Sequence, residues 1–124
     1  MEIHIAKAKR HELEALLSDS LPQASGPTAP RRVYVGRPSP LGNPWPLGRD
    51  GSREQVIARY RRWLWQRLQQ ADSPQRQALE ELLGHARRQP LVLLCWCHPL
   101  PCHAQVIRNA LLWLAAQQST SSRP

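Results

Sequence analysis

The chain lacks several features whose absence narrows its class. It has no phenylalanine, one methionine and, among 124 residues, only three cysteines, Cys95, Cys97 and Cys102. An odd number of closely spaced cysteines is not a disulfide framework, which indicates a reducing compartment. No segment approaches the roughly 18 consecutive apolar residues of a membrane span, and residues 1–5 lack the basic and apolar regions of a signal peptide. We therefore expect a cytoplasmic protein with no membrane partner.

Lysine is also scarce, which leaves an unusual basic composition. Lys7 and Lys9 are the only lysines, so arginine supplies the other 15 of the 17 basic side chains, and the formal net charge is +8. The planar guanidinium group is suited to phosphate, and small basic proteins often bind nucleic acid. A GC-rich genome would favour the same arginine-rich and proline-rich composition. Both explanations remain open at this stage.

Three segments have the composition of β-strands. Residues 1–6 alternate apolar and polar side chains, and residues 33–35 are a short β-prone run that Gly36 ends. Residues 91–96 form a nearly continuous apolar run, which is typical of a strand covered on both faces. Residues 11–18 are expected to add one or two helical turns.

Three longer segments have helical patterns. A capping box that begins at Ser52 predicts a helix that ends near residue 70. Pro74 in a first turn predicts a second helix, which Pro90 ends, and a last helix is expected to begin at Cys102. The apolar side chains at helical spacing that should face the core are Val56, Ile57, Tyr60, Leu64, Leu68, Leu79, Leu82, Leu83, Ala86, Val106, Ile107, Ala110, Leu111 and Leu114.

The order of these elements predicts an α/β fold. We expect a small three-layer or two-layer Rossmann-like domain with a short, mainly parallel sheet and flanking helices. The single domain should span residues 1–118, with a surface loop at 20–31 and a disordered tail at 119–124. In parallel sheets, ligands gather at the carboxyl ends of the strands. Two unusual loops follow two such ends, after Val35 and after Trp96.

The first loop, residues 36–44, is rich in glycine and proline. Glycines allow a ligand to approach the backbone closely, a guanidinium pairs with phosphate, and hydroxyl and amide groups form hydrogen bonds. The loop matches neither the phosphate-binding GxxxxGK[ST] motif nor the dinucleotide GxGxxG motif. The alternative is a rigid turn that braces Trp45 against the core. The residues predicted to bind a ligand are Gly36, Arg37, Ser39, Gly42 and Asn43.

The second loop carries thiols and imidazoles, and three interpretations compete. In the first, Cys97, Cys102 and His103 line a site and are catalytic, because a helix N-terminus stabilises a thiolate or a bound anion. In the second, Cys97, Cys102, His103 and His98 bind zinc, although the spacing differs from the usual paired knuckles. In the third, the cysteines only fill the core, which suits Cys95 best.

Two tryptophans in the helix predicted to follow Ser52 are a weaker signal of nucleic-acid binding. Trp63 and Trp65 lie among Arg61, Arg62 and Arg67, an arrangement similar to the stacking aromatics of single-strand binders. Tryptophans on an amphipathic helix are more often core or interface residues, because each buries a large area. We favour the latter interpretation.

Taken together, residues 33–44, 95–97 and 99–103 resemble an uncharacterised domain-of-unknown-function family of short bacterial and phage proteins. Its members have YIGR-x-S-x-x-GNP followed far downstream by CWC-x-P-x-x-CH. The resemblance covers residues 33–115. Family members often continue with CHG, whereas this chain has Ala104. The resemblance implies a site made by the two loops and transfers no activity.

These observations lead to one functional expectation and one alternative. The expectation is a nucleotide- or phosphate-ligand pocket formed by loops 36–44 and 97–103, with catalysis left open. The alternative is a non-catalytic zinc-containing module that binds nucleic acid. The expected partner is a phosphate-bearing small molecule or a nucleic acid, and a homodimer is not excluded. No cofactor follows from the sequence, and zinc belongs only to the alternative.

Overall fold

The computed structural model describes residues 1–26, 28–45, 48–49, 51–97, 100 and 102–121. Within these residues, three strands form one sheet: β1 (Ile3–Lys7), β2 (Arg31–Tyr34) and β3 (Leu91–Cys95). The strand order is β1-β3-β2, and both neighbours of β3 run parallel to it. The short parallel sheet that the sequence predicted is therefore confirmed.

Four α-helices accompany the sheet in the described part of the chain. They are α1 (Leu13–Leu17), α2 (Arg53–Leu68), α3 (Pro74–Arg88) and α4 (His103–Ser121), and a single 3-10 turn (Arg10–Glu12) precedes α1. Each predicted helix is present, and its ends differ from the expected ones by a few residues. The largest difference is at α4, whose helical backbone continues past residue 118. None of the helices among the described residues is long and apolar enough to cross a membrane.

The central strand is buried on both faces, as its apolar sequence predicted. Leu91, Leu93 and Cys95 are fully buried in the main core with side chains of α2, α3 and α4. Leu94 points to the other face, where it packs in a smaller cluster with Leu16 of α1. Three long helices thus cover one face, and α1 with its neighbouring segments covers the other. The fold is a small Rossmann-like α/β domain that is closer to two layers than to three.

The predicted helical stripes face the main core. All but one of the 14 apolar side chains expected there are buried, and Ile57 is half-buried against the same core. Trp63 and Trp65 are half-buried and also pack against it, so each has a core contact and an exposed part. This main cluster is the larger source of folding stability, because each large buried side chain contributes about 1.5–3 kcal/mol.

Side-chain caps fix the N-termini of α2 and α3. Ser52 Oγ accepts a hydrogen bond from the Gln55 N–H at 3.3 Å, and Gln55 Oε1 accepts from the Ser52 N–H at 2.8 Å. This is the predicted capping box. At the start of α3, Ser73 Oγ accepts from the Arg76 N–H at 3.0 Å and donates to the Arg67 carbonyl at 2.7 Å. The second contact holds the end of α2 against the start of α3.

The strand directions bring the two loops to one edge of the sheet. β2 ends at Tyr34 and β3 ends at Cys95, and the two residues lie almost side by side in the parallel register. The segments that follow both strands therefore leave from the same carboxyl edge. This placement follows from the parallel pairing alone and positions the candidate site.

Candidate functional site

The first loop folds into consecutive turns that two helices hold in place. The Ser39 N–H donates to the Gly36 carbonyl and the Gly42 N–H to the Ser39 carbonyl, both at 2.9 Å. The buried Tyr60 hydroxyl on α2 donates to the Leu41 carbonyl at 2.6 Å. The Gln75 amide on α3 donates to the Pro40 carbonyl at 3.0 Å. The loop is thus a rigid structure whose backbone groups are bound by the helices.

Tyr34, the last residue of β2, connects the two loops. Its hydroxyl donates to the Arg37 carbonyl at 2.6 Å and accepts from Trp96 Nε1 at 3.0 Å. The Tyr34 and Trp96 rings meet edge to face, with centroids 6.3 Å apart. The Tyr34 side chain also lies directly over Gly36, where an added Cβ would come within 3 Å of the hydroxyl oxygen and two ring carbons. Glycine at this position is required by the close approach of the ring.

Gly42 has a comparable structural reason. An added Cβ there would lie 2.8 Å from the Arg37 backbone nitrogen and 2.9 Å from its Cα. The loop closes on itself at this point, so Gly42 contacts Arg37 and does not line the cavity described below. The sequence predicted it as a ligand-binding residue, and its observed role is to let the loop close.

His103, the first residue of α4, joins the second loop to the end of β2. Its Nε2 lies 2.7 Å from the Val35 carbonyl oxygen, and since a carbonyl only accepts, Nε2 carries the proton. Its Nδ1 lies 3.2 Å from Cys102 Sγ. Burial lowers the pKa of His103, the Val35 carbonyl opposes that shift, and the charge of Arg37 adds to it. The imidazole is therefore neutral near pH 7 and accepts at Nδ1.

Cys102 is a buried thiol and not the thiolate that its place at a helix N-terminus predicted. A hydrogen bond with Cys95 and burial raise the pKa of the Cys102 thiol far above its ordinary value. The two neighbouring cysteines raise it further by charge repulsion. The Ala104 N–H in the first turn of α4 lowers the pKa, as expected at a helix N-terminus, but the Cys95 contact, burial and the neighbouring cysteines outweigh it. None of these three cysteines forms a disulfide.

Both loops face one cavity of about 340 Å³ at the carboxyl edge of the sheet. Six of the predicted site residues line it: Gly36, Arg37, Asn43, Cys97, Cys102 and His103. The remaining described lining residues were not predicted as site residues: Leu17, Tyr34, Trp45, Arg53, Val56, Ile57 and Trp96.

Asn43 lines the cavity, but its amide is used within the protein. Asn43 Oδ1 accepts from the Trp45 N–H at 2.9 Å, and Nδ2 donates to the Val56 carbonyl at 3.3 Å. The side chain thereby fixes the path of the chain after the loop. This geometry agrees with the alternative role considered for the loop, that of bracing Trp45.

Ser39 lies on the other side of the loop. It lines a second cavity, of about 310 Å³, together with Arg31, Glu81 and His85. Among the described residues, Ser39 Oγ is buried and has no hydrogen-bond partner in the protein. The structure therefore separates Ser39 from the other predicted ligand-binding residues.

The described lining of the first cavity carries basic and aromatic side chains. Arg37 and Arg53 line it, and none of its described lining residues is aspartate or glutamate. Arg53 is the first residue of α2 and His103 the first residue of α4, so two helix N-termini add partial positive charge. Tyr34, Trp45 and Trp96 supply aromatic walls. The arrangement favours an anion with a planar ring.

The proposed zinc ligands do not form a cluster in the part of the chain that the structure covers. No group of three or more histidine, cysteine, aspartate or glutamate side chains is arranged there to hold a metal ion. His98, the fourth ligand of that alternative, lies outside the described residues. His103 uses Nε2 for the Val35 carbonyl and Nδ1 for Cys102, so both of its nitrogens already have partners.

The comparisons with known proteins identify one family over most of the chain. The protein family described as Domain of unknown function (DUF4326) matches residues 22–113. The chain belongs to this family. No curated protein and no solved structure matches the chain. The DUF4326 match includes β2, β3 and both loops, and among the described cavity residues only Leu17 lies before it.

Sequence reasoning missed the wall of the cavity that α2 provides. Arg53, Val56 and Ile57 come from the first two turns of this helix. The sequence did contain a signal for this wall, because the capping box places the start of α2 soon after the first loop. A helix that begins at the mouth of a site presents its first turns to that site. Trp96 and Tyr34 were missed because they were assigned to the strands that precede the loops and not to the loops themselves.

Proposed function

We propose that this protein binds a nucleotide unit in the cavity between the two loops. The phosphate would lie near Arg37 and Arg53, and the base against the aromatic walls. The observation that carries this proposal is the pairing of two guanidinium groups with three aromatic side chains on a cavity whose described lining has no carboxylate. Guanidinium groups bind phosphate through two parallel hydrogen bonds.

Helix geometry supports the phosphate end of the proposal. The N-termini of α2 and α4 both lie at the cavity. The helix dipole favours a bound anion at each N-terminus. Positive charge from two side chains and two helices therefore acts on the same volume.

The aromatic side chains support the nucleobase end. Trp96 is 36% exposed, and the hydrogen bond from its Nε1 to the Tyr34 hydroxyl fixes the orientation of its ring. A fixed and partly exposed indole is a suitable stacking surface for a base. The volume of about 340 Å³ is at the small end of the roughly 300–1,000 Å³ of ligand pockets. It suits one nucleotide and not a dinucleotide cofactor.

Binding is favoured over catalysis for the predicted catalytic residues. Cys102 and His103 lie within hydrogen-bond distance of each other, and His103 also donates to the Val35 carbonyl. The contact with Cys95 and burial raise the pKa of the Cys102 thiol, and burial lowers the pKa of His103, so both are neutral near pH 7. In this proposal these two residues position the start of α4. Cys97, which is half-buried and lines the cavity, contacts the ligand.

Isothermal titration calorimetry tests the proposal. The ligands are the four common nucleoside 5′-monophosphates, the corresponding nucleosides and inorganic phosphate. We expect at least one monophosphate to bind more tightly than its nucleoside and than inorganic phosphate. Arg37→Ala should weaken that binding by about tenfold or more, because a hydrogen bond to a charged group contributes about 1.5–3 kcal/mol.

The matched control is Arg87→Ala. Arg87 is an exposed arginine on α3 that lines neither cavity, and its loss changes the net charge by the same amount. Equal weakening in both variants would assign the effect to overall charge. Absence of binding by every monophosphate at millimolar concentration would overturn the proposal.

A further inference from the structure

The aromatic surface of the cavity continues onto the outside of α2. Val56 lines the cavity, and Arg59 and Trp63 follow it at spacings of three and seven residues, which place them on the same helix face. Trp45, another cavity residue, meets Trp63 edge to face with ring centroids 6.1 Å apart. Arg59, Trp63 and Trp45 together are called the α2 strip below.

The two neighbouring tryptophans of α2 have different surroundings. Trp63 packs against Tyr60, with centroids 5.6 Å apart, and against Trp45. Trp65 instead pairs with Trp113 of α4, with centroids 5.1 Å apart. Both are half-buried, so both rings are held in place while part of each remains exposed. Only Trp63 extends the surface of the cavity.

The charge of α2 complements a polyanion. The helix carries five arginines and one acidic residue, Glu54. Arg59, Arg61 and Arg62 are exposed, and Arg53 faces the cavity. Fixed aromatic rings beside guanidinium groups match the repeat of a nucleic acid strand, in which planar bases alternate with phosphates.

We infer that the ligand is a single-stranded nucleic acid, one nucleotide of which occupies the cavity while the adjoining nucleotides lie on the α2 strip. This inference rests on the proposed function, because it identifies the cavity ligand as part of a chain. A double helix does not fit, since its paired and stacked bases reach neither the cavity nor the exposed edge of Trp63. The single-stranded form presents both the base and the phosphate.

Fluorescence anisotropy with labelled oligothymidylates tests the inference. We expect an eight-nucleotide single strand to bind at least about tenfold more tightly than thymidine monophosphate, which is measured by competition, because stacking of added bases contributes to affinity. The same sequence in a duplex should bind more weakly than the single strand at equal salt. A single strand that binds no more tightly than the monophosphate would overturn the inference and leave the proposed function intact.

Matched substitutions on α2 locate the contact. Trp63→Leu should weaken binding of the single strand about fivefold or more and leave monophosphate binding unchanged. Trp65→Leu, which removes the neighbouring half-buried indole, should leave both unchanged. Arg59→Gln should also reduce the slope of log affinity against log salt by about one, and Arg87→Gln should not. Thermal unfolding of each variant establishes that it remains folded.

The outcomes separate the two proposals. If neither monophosphate nor single strand binds, both are overturned. If the single strand binds and Trp63→Leu weakens it while no monophosphate binds, the cavity proposal is overturned and the inference with it, because the inference places one nucleotide in the cavity. If Trp63→Leu and Trp65→Leu weaken the single strand equally, or if Trp63→Leu changes only self-association in analytical ultracentrifugation, the α2 strip has another role and the inference is wrong.

Discussion

At the scale of single residues, His103 is the group whose chemistry is most constrained by its surroundings. Burial lowers its pKa, and the charge of Arg37 acts in the same direction. The unfolded chain, in which the imidazole has its ordinary pKa of about 6.5, therefore binds a proton more readily than the folded protein. By linkage, His103 makes the folded protein lose stability as the pH falls below about 6.5.

His103→Gln should reduce this pH dependence. The glutamine amide can still donate to the Val35 carbonyl, but it does not titrate. Thermal unfolding between about pH 5 and about pH 8 should show a smaller loss of stability on acidification than in the wild type. His85, whose pKa burial also lowers, is present in both proteins and does not affect the comparison. An unchanged pH dependence would contradict the neutral state assigned to His103.

The three thiols should differ in their accessibility. Cys95 is fully buried, Cys102 is 3% exposed, and Cys97 is half-buried and lines the cavity. We expect iodoacetamide to alkylate Cys97 first under native conditions, and the other two only when the protein opens. Fragmentation mass spectrometry of the labelled peptide measures this order. Rapid labelling that persists in Cys97→Ser would show that another thiol is accessible.

At the scale of secondary-structure elements, the end of β2 determines how the two loops meet. The Tyr34 hydroxyl has one partner in each loop, the Arg37 carbonyl and Trp96 Nε1. Tyr34→Phe should lower the free energy of unfolding by about 1–3 kcal/mol, because both partners lose a hydrogen bond. Urea denaturation measures the change.

Gly36→Ala tests the close packing of the Tyr34 side chain against the first loop. An added methyl group would displace the Tyr34 ring, so the variant should be destabilised by at least as much as Tyr34→Phe. Gly84→Ala on α3 is a suitable control, because an added Cβ there meets only the end of the Arg88 side chain, at 3.8 Å. Its expected effect is neutral or stabilising, since alanine has the higher helix propensity. If Gly36→Ala were as stable as Gly84→Ala, the close packing of Tyr34 would be contradicted.

The elements themselves could largely be predicted from the sequence, because their signals are local. The capping box at Ser52, Pro74 in the first turn of α3 and the apolar run 91–95 each depend on neighbouring residues. The start of β2 at Arg31 was missed, because its first two residues are charged. Their placement is set by pairing with β3, a long-range contact that no local pattern reports.

At the scale of the whole molecule, parallel pairing explains why the site was partly predictable. Loops that follow neighbouring parallel strands share one edge of the sheet. This rule placed the loops of Gly36 and Cys97 together, and both residues line the first cavity. It could not determine which side of a loop each residue faces. Ser39 was therefore assigned to the wrong cavity, and the residues of α2 that line the first cavity were not predicted. The protonation of Cys102 depends on its contact with Cys95, which only the folded chain reveals.

A nitrogen-15 NMR titration with a nucleoside monophosphate tests the central claim most directly. The account predicts saturable shifts of the amide signals of Gly36, Arg53, Cys97 and His103, which belong to the two loops and the first turns of α2 and α4. The signals of Glu81 and His85, which line the second cavity, should remain unchanged. Shifts concentrated at Glu81 and His85, or no saturable shift at millimolar ligand, would contradict it.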